Sequence, residues 1–316
     1  MTSRESGPEF QIDDHAIARL TIPGYVDFLA ADGEAVWATN EDRVEKLQVD
    51  QSTPVATIEM PGPCGVMVVA FGSLWVASCK ELSVYRLDVD AGEIAARIPT
   101  GLAAPDGELS LAAGAGSIWV LSDVRGILSR IDPERNEVIA EISVLPNSYC
   151  AAFGDNAVWI TNSGASDNTS EGSVQRIDPA TNQVTATIPV GPVPRFLTAG
   201  EGAVWTLNWG DGSVTKIESS TSHVVATIPL GMEGGGGDID SGGGRVWIRG
   251  TKVLLASLDP ATSEVTTIYG PPAGSGAVRV AGEVVWVTAH DTKTVWALRP
   301  ETDARPQSGG GAQTKS

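Results

Sequence analysis

The sequence lacks the segments that carry a protein into or across a membrane. None of its apolar runs approaches the roughly 18 residues that a membrane-spanning helix needs. Its first residues, MTSRESGPEFQIDD, contain neither the basic nor the apolar region of a signal peptide. We therefore expect no membrane partner, and a chain that is cytoplasmic as it stands or exported if a signal has been removed.

Basic residues are scarce as well. The chain has 21 Lys and Arg against 39 Asp and Glu, a formal net charge of −18, and no cluster of basic residues interrupts the acidic background. Such a field disfavours the phosphate backbone of nucleic acid and the surface of an anionic membrane. We expect most of the carboxylates to lie in solvated turns, where they keep the protein soluble.

Helix formers and catalytic signatures are also few. There are only four Met, against 36 Gly and 19 Pro, and the apolar residues are mostly Val, Ile, Ala and Trp. This composition favours pleated sheets and an all-β fold. The sequence contains no P-loop, no C-x-x-C pair, no zinc signature and no Ser-His-Asp order.

What the sequence does contain is a repeat centred on tryptophan. Seven segments share a Trp flanked by small or β-branched residues: EAVWATN, GSLWVAS, GSIWVLS, NAVWITN, GAVWTLN, GRVWIRG and EVVWVTA, with the tryptophans at Trp37, Trp75, Trp119, Trp159, Trp205, Trp247 and Trp286. Their spacings of 38, 44, 40, 46, 42 and 39 residues match the roughly 40 to 45 residues of a four-stranded propeller blade. Seven anchors predict seven blades.

Each repeat also contains a hairpin, seen most clearly in GSVQRIDPATNQVTATIPVG at 172–191. A strand, a turn containing Pro, Thr and Asn, and a second strand follow one another there. With the Trp strand and a short strand before it, each repeat forms a four-stranded antiparallel meander. We expect the seven tryptophans to be core residues between blades, and the Arg-Ile-Asp-Pro motifs at 130–133 and 176–179 to be structural.

The two ends of the chain complement each other. AIARLTIPG at 16–24 resembles an outer strand without preceding inner strands, whereas the last repeat stops before its outer strand. The N-terminal strand should therefore complete the last blade in a Velcro-type closure, which removes exposed sheet edges. We expect a monomeric propeller over 16–302, with disordered tails at 1–15 and 303–316.

These motifs resemble the YVTN and streptogramin lyase (virginiamycin B lyase) superfamily of bacterial seven-bladed β-propellers. The resemblance rests on Gly-x-x-x-x-Trp, Arg-Ile-Asp-Pro and Thr-Ile-Pro-x-Gly over roughly residues 16–300. The resemblance implies the chemistry of the family's lyases, which open a cyclic depsipeptide by metal-assisted elimination. These enzymes use His residues in turns before the inner strands of late blades. Those turns here contain Arg195 or Gly instead, and His290 stands where a carboxylate is expected.

The topology gives a location for function. Loops that enter the inner strands and loops that leave the Trp strands share one face of the disc and converge on an axial funnel. The candidate binding residues on this face are Tyr25, Asp27, Asn40, Asn162, Asn208, Trp209 and Arg249. Trp209 offers an apolar platform for a sugar or an aromatic group, although packing between blades explains it equally well.

Two further sets of candidates lie on the same face. For catalysis we consider His290 as general base, Arg195 as a site for an anionic group, and Tyr149. A divalent cation such as Mg²⁺ could be held by the oxygen ligands Asp27, Glu108 and Asp238. The alternative is that these residues are hydrogen-bonded turn residues around a solvated mouth.

The three cysteines allow at most one internal disulfide. Cys64 and Cys79 are predicted at the same rim of the second blade on neighbouring strands, so a bond between them is geometrically possible and would argue for export. Buried free thiols are our default expectation.

The sequence leaves two hypotheses for function. The first is a binding protein that presents a ligand or protein-partner site at the axial funnel. The second is a lyase- or hydrolase-like enzyme that acts on a cyclic ester or peptide-like small molecule. We favour binding, because the histidine pattern of the lyases is not preserved.

Overall fold

The structure is a computed structural model that describes residues 9–101, 109–122, 125–163, 172–232, 237–251, 253–270 and 273–300. Within these residues the strands form seven sheets, each with a meander that runs from the axis outwards. The inner strands pack side by side, and the inner strand of the last sheet returns to that of the first. The predicted seven-bladed β-propeller is therefore confirmed.

The strands of the first four blades follow the predicted order. Blade 1 contains Leu29–Asp32, Ala35–Asn40, Arg43–Leu47 and Ala56–Glu59. Blade 2 contains Pro63–Ala70, Ser73–Ser78, Ser83–Asp88 and Glu93–Pro99. Blade 3 contains Leu111–Gly114, Ser117–Ser122, Ile127–Asp132 and Glu137–Ser143. Blade 4 contains Ser148–Gly154, Ala157–Asn162, Gly172–Asp178 and Gln183–Val190.

The last three blades include the N-terminal strands. Blade 5 contains Pro194–Gly200, Ala203–Asn208, Ser213–Glu218 and His223–Pro229. Blade 6 contains Asp238–Gly242, Arg245–Arg249, Leu255–Leu258, Val265–Tyr269 and Glu9–Gln11. Blade 7 contains Val278–Ala281, Val284–Ala289, Thr294–Leu298 and Ala16–Thr21. An α-helix spans Ile12–His15 and a 3-10 turn spans His290–Thr292.

The seven repeat tryptophans lie in the core, as predicted. Each is at most 4% exposed, because the neighbouring blades cover both faces of the second strand. In blades 2 to 6 the indole Nε1–H donates to the carbonyl five residues earlier, at the end of the inner strand. Burial of the ring therefore leaves its polar group satisfied.

The Arg-Ile-Asp-Pro motifs connect neighbouring blades. The guanidinium of Arg130 lies 4.8 Å from the ring centre of Trp119 and donates to the Pro179 carbonyl of the next blade at 2.7 Å. Arg86 donates in the same way to the Pro133 carbonyl at 2.9 Å. These contacts give the motif a structural function.

One strand of blade 7 comes from the N-terminal part of the chain. Ala16–Thr21 pairs antiparallel with Thr294–Leu298, and the amide of Ile22 donates to the Lys293 carbonyl at 2.9 Å. This pairing connects the beginning and the end of the propeller within one sheet.

Residues 9–15 belong to the predicted N-terminal tail, and in the structure they form a short strand and a helical turn. Glu9–Gln11 pairs in parallel with Val265–Tyr269 at the outer edge of blade 6. Ile12 is 1% exposed, and Asp13 accepts a hydrogen bond from the indole of Trp296 at 2.8 Å. The buried side chain of Ile12 anchors this segment. The mostly polar composition of the segment gives no sign of this anchor. The predicted tail 303–316 lies outside the described residues.

The expectation of free thiols at Cys64 and Cys79 is wrong. The two cysteines form a disulfide that joins the inner strand of blade 2 to the residue directly after its second strand, with their Cα atoms 5.9 Å apart. Cys150 is a buried free thiol, and burial raises its pKa to about 11. In the part of the chain that the structure describes, no helix is long and apolar enough to cross a membrane.

Candidate functional site at the mouth of the channel

The inner strands share one register around the channel. The residues of these strands that pair with the repeat tryptophans are Ala30, Val68, Ala112, Ala152, Thr198, Asp240 and Arg279. Two residues before each of these in the chain lies a second ring, formed by Phe28, Val66, Ser110, Cys150, Phe196, Asp238 and Ala277. The second ring lies nearer to the face where the inner strands begin.

Two phenylalanines of this second ring meet across the channel. Phe28 belongs to blade 1 and Phe196 to blade 5, which are not neighbours, yet their ring centres lie 6.3 Å apart. Tyr149 of blade 4 packs edge-on against Phe196 at 5.3 Å. Phe28 is 7% and Phe196 3% exposed. The three rings form what we call the aromatic floor.

Polar residues surround the aromatic floor. We call this region the mouth and define it by Tyr25, Phe28, Tyr149, Arg195, Phe196, Trp209 and His290. Sequence analysis named five of these residues and missed Phe28 and Phe196. A signal for them exists, because each phenylalanine precedes a leucine at the same position of its repeat, in DFLA and RFLT.

His290 is held between two side chains at the mouth. Its Nε2 lies 3.1 Å from the Tyr25 hydroxyl, and its Nδ1 lies 2.6 Å from a carboxylate oxygen of Asp291. The rings of Tyr25 and His290 are stacked, with centres 4.2 Å apart. The structure thus joins two of the predicted residues, and it adds Asp291 as their partner. Carboxylate, imidazole and phenol in this order can pass a proton.

Asn40 positions Tyr25 rather than facing a ligand. It is 1% exposed, accepts from the Tyr25 amide at 2.6 Å and donates to the Pro23 carbonyl at 2.8 Å. Gly24 has a φ of +105°, and a Cβ there would collide with the Asn40 side chain. Only glycine fits this turn.

A cavity of about 230 Å³ opens beside Tyr25. It is lined by Tyr25, Asp27, Phe28, Thr39, Asn40, Glu41, Pro63, Cys64 and Gly65. The backbone of Asp27 is fixed, since its carbonyl accepts from the Thr288 hydroxyl at 2.8 Å. The cavity therefore has an aromatic wall and two carboxylate residues.

Arg249 is buried behind the mouth. It is 0% exposed and donates to the carbonyls of Thr288 at 2.9 Å and Gly274 at 3.1 Å. Burial lowers the pKa of Arg249 to about 10, although the negative charges of Asp27 and Asp291 act in the opposite direction. Arg249 therefore cannot touch a ligand in this conformation, contrary to the prediction. Its positive charge still acts on the carboxylates of Asp27 and Asp291.

Asn162 and Asn208 are also buried, at 5% and 0% exposure. The Asn162 amide donates to the Pro146 carbonyl, and the Asn208 amide donates to the hydroxyls of Ser213 and Thr215, both at 2.9 Å. Both asparagines hold loops and strands in place, which is the turn-residue alternative considered from the sequence.

Arg195 lies between two aromatic rings. Its guanidinium carbon is 4.4 Å from the ring centre of Tyr149 and 5.0 Å from that of Trp209. A tight turn brings Trp209 to this position, with its amide donating to the Val193 carbonyl at 2.9 Å. The structure therefore brings three predicted site residues into one contact group.

Asp238 faces the channel in an ion pair. Its carboxylate lies 3.3 Å from the guanidinium of Arg279, which also lies 3.4 Å from Asp240. Burial raises the pKa of Asp238 to about 6, although Arg279 opposes the shift. These residues line a channel cavity of about 350 Å³ on the far side of the aromatic floor. Neither Arg279 nor Asp240 was singled out from the sequence.

The magnesium site stays a prediction. Among the described residues, no three His, Cys, Asp or Glu side chains come together in a group that could hold a metal ion. The predicted ligand Glu108 lies outside the described residues, and Asp238 is occupied by Arg279.

Solved structures share this architecture. Virginiamycin B lyase from Staphylococcus aureus superposes with a TM-score of 0.73 at 16% identity, over 89% of this chain and 98% of that one. A streptogramin B lyase gives a TM-score of 0.72 at 17% identity, over 89% and 95%. In fold, the chain is similar to virginiamycin B lyase. The resemblance seen in the sequence motifs is therefore confirmed at the level of the fold.

A propeller of another kind is equally similar. The WD40 domain of Neurospora crassa Pan2 has a TM-score of 0.72 at 12% identity, over 93% of this chain and 98% of that one. No protein-family model matches the chain, and comparison with curated protein sequences gives no match. At these identities the likeness concerns the fold, and function must be argued from the site.

Proposed function

We propose that the protein binds a small organic molecule with an aromatic or apolar part at the mouth. The contact of Phe28 with Phe196 carries this proposal, because it builds an apolar floor across the channel. Tyr25, 51% exposed, stands beside this floor and next to the cavity of about 230 Å³. Ligand sites commonly combine such an apolar surface with a few placed polar groups.

The polar groups around the floor support the same role. Arg195, near the start of the inner strand of blade 5, and the pair His290 and Asp291, in the 3-10 turn of blade 7, converge on the mouth. In contrast, the channel on the far side contains an internally satisfied ion pair between Arg279 and two carboxylates. The mouth therefore has groups available for recognition, whereas the charges of the channel are committed to each other.

Ligand-observed NMR with a panel of neutral aromatic amides, among them 3-phenylpropionamide, tests this function. We expect millimolar binding to the wild-type protein and at least a fivefold weaker affinity in Tyr25→Ala. Phe71→Ala is the matched control, because Phe71 is 44% exposed in the turn that leaves an inner strand, on the opposite face of the disc. No binding, or equal losses in both variants, would contradict a site at the mouth.

A second candidate is a lyase- or hydrolase-like enzyme that acts on a cyclic ester or peptide-like molecule. The placement of His290 between Asp291 and Tyr25 favours it. The Tyr25 hydroxyl would take a proton from the substrate as it gives its own proton to Nε2 of His290, and the ring C–O bond would break as that proton leaves. The Asp291 carboxylate would stabilise the resulting imidazolium. A catalytically inactive variant of virginiamycin B lyase has been solved with quinupristin, at a TM-score of 0.73 and 16% identity, over 87% of this chain and 95% of that one.

Turnover separates the two candidates. The purified protein is incubated with quinupristin and with simple macrocyclic lactones, with and without Mg²⁺, and the products are followed by mass spectrometry. Ring opening that is lost in His290→Ala and retained in His223→Ala would establish the enzyme, since His223 is exposed in an outer strand. Binding of the aromatic amides without any ring opening would favour the binding function.

A further inference from the structure

Arg195 is fixed in place by both of the blades that it touches. It follows a buried proline at the start of the inner strand of blade 5. Its carbonyl accepts from the Thr161 hydroxyl of blade 4 at 2.6 Å, and the Pro194 carbonyl accepts from the Ser163 hydroxyl at 2.8 Å. The backbone under the guanidinium therefore has little freedom.

The guanidinium is stacked but otherwise unused. The guanidinium carbon lies over the rings of Tyr149 and Trp209, at 4.4 and 5.0 Å from their centres. Within the described part of the chain, the side chain of Arg195 forms no hydrogen bond and no ion pair, and its Nε is buried without a partner. Stacking leaves the N–H groups at the edge of the guanidinium free to bind in its plane.

The other arginines of the protein show the contrast. Arg43, Arg97, Arg279 and Arg299 pair with carboxylates, at 2.8, 3.0, 3.3 and 2.9 Å respectively. Arg86 and Arg130, which also stack on tryptophan, donate to carbonyls of the next blade. In a chain with a net charge of −18, carboxylates are abundant, yet none within the described residues pairs with Arg195.

Resting on the proposed function, we propose that Arg195 binds the carboxylate of an aromatic carboxylic acid. The carboxylate would accept two hydrogen bonds from the guanidinium edge. The aromatic part would lie on the floor, because Tyr149, which the Arg195 guanidinium covers at 4.4 Å, also packs against Phe196 at 5.3 Å. The ligand class is thus a small amphiphilic anion, and neither an inorganic anion nor an apolar molecule alone satisfies both parts of the site.

Matched probe pairs test this inference. Dissociation constants of 3-phenylpropionate and 3-phenylpropionamide, and of further aromatic acid and amide pairs, are measured by ligand-observed NMR at fixed ionic strength. We expect the acids to bind the wild-type protein at least tenfold more tightly than the amides, since a carboxylate accepts two charge-assisted hydrogen bonds from the guanidinium edge and a neutral amide oxygen is a weaker acceptor. Inorganic phosphate and acetate should bind more weakly than the aromatic acids.

Three variants localise the effect. Arg195→Met should reduce the affinity for the acids to that for the amides, and Arg195→Lys should retain only part of the preference, because a lysine cannot make the fork-shaped contact. Arg19→Met, which removes another partly exposed arginine in the outer strand of blade 7, should change nothing. Circular dichroism and the melting temperature verify that each variant is folded.

The possible failures differ from one another. Equal binding of acids and amides by the wild-type protein, or an acid preference that survives in Arg195→Met, would overturn the role of Arg195 and leave a ligand site at the mouth intact. The absence of binding by any acid or amide would overturn both this inference and the proposed function.

Discussion

The ring of Tyr25 stacks on the ring of His290 at a distance of 4.2 Å, although 265 residues separate them in the chain. Tyr25 precedes the first inner strand, and His290 follows the last Trp strand. The contact exists because blades 1 and 7 are neighbours in the ring. It couples the two ends of the propeller at the mouth.

The contact predicts the tautomer of His290. Nδ1 lies 2.6 Å from an Asp291 oxygen, at an angle too bent for a regular hydrogen bond. Two lone pairs at this distance would repel, which favours a proton on Nδ1. Nε2 is then free to accept from the Tyr25 hydroxyl in the neutral ring. We expect ¹⁵N NMR at alkaline pH to show the Nδ1–H form for one of the three histidines, assigned through His290→Ala. A dominant Nε2–H form would contradict this arrangement, and Asp291→Asn should weaken the preference.

A gap in the connections between blades 4 and 5 predicts a stabilising substitution. Arg130 reaches Asn182 of the next blade at 2.9 Å. Arg176, at the equivalent position one blade later, donates through Nη1 to Thr185 of its own blade at 3.0 Å instead, and the turn facing it has Ser222 in place of Asn. Ser222 has a φ of +58°, a conformation that Asn adopts more readily than Ser.

We therefore expect Ser222→Asn to raise the free energy of unfolding by about 0.5–1.5 kcal/mol, through easier backbone geometry and a new acceptor for Arg176. Urea unfolding measures the change. Ser263→Asn is the matched control, because Ser263 has a φ of +62° at the same turn position of blade 6, where Lys216 already donates to the Pro260 carbonyl. Equal gains in the two variants would show that Arg176 gains no partner.

The blades could be predicted because each repeat contains the residues that determine its own strands and turns. A Trp such as Trp159 is buried on both sides by neighbouring blades, so its register must recur in every repeat. The turn at Asp178–Asn182 recurs for a similar reason, since its carbonyls receive the arginine of the preceding blade. Local patterns of this kind can be recognised in the sequence without knowing which residues face each other across the channel.

The aromatic floor could not be predicted in the same way. Phe28 and Phe196 occupy one repeat position, but only closure of the ring brings blades 1 and 5 face to face. The same holds for Arg279, which reaches from blade 7 to the Leu29 carbonyl of blade 1 at 3.2 Å. Pairing of Cys64 with Cys79 depends on the local twist of two strands, which spacing alone does not fix.

The disulfide predicts a dependence of stability on reducing agent. Cys64 and Cys79 are 15 residues apart, and a loop of this length is expected to contribute about 3 kcal/mol by restricting the unfolded chain. We expect TCEP to lower the urea midpoint of the wild-type protein to that of the Cys64→Ser, Cys79→Ser variant. TCEP should not affect the variant, although Cys150 remains. An unchanged wild-type midpoint after verified reduction would contradict this contribution.

The channel ion pair predicts how stability varies with pH. Burial raises the pKa of Asp238 to about 6 from an ordinary value of 3.8, so the folded protein holds this proton more tightly than the unfolded chain. The resulting stabilisation is complete below pH 3.8 and is lost as the pH rises through about 6. Between pH 4 and 7 the free energy of unfolding of Asp238→Asn should therefore rise relative to that of the wild-type protein, by on the order of 1–3 kcal/mol. Urea unfolding at several pH values measures this difference, with Asp90→Asn as the control for removal of one exposed carboxylate. A difference between Asp238→Asn and the wild-type protein that stays constant from pH 4 to 7 would show that the Asp238 carboxylate is already ionised in the folded protein at pH 4.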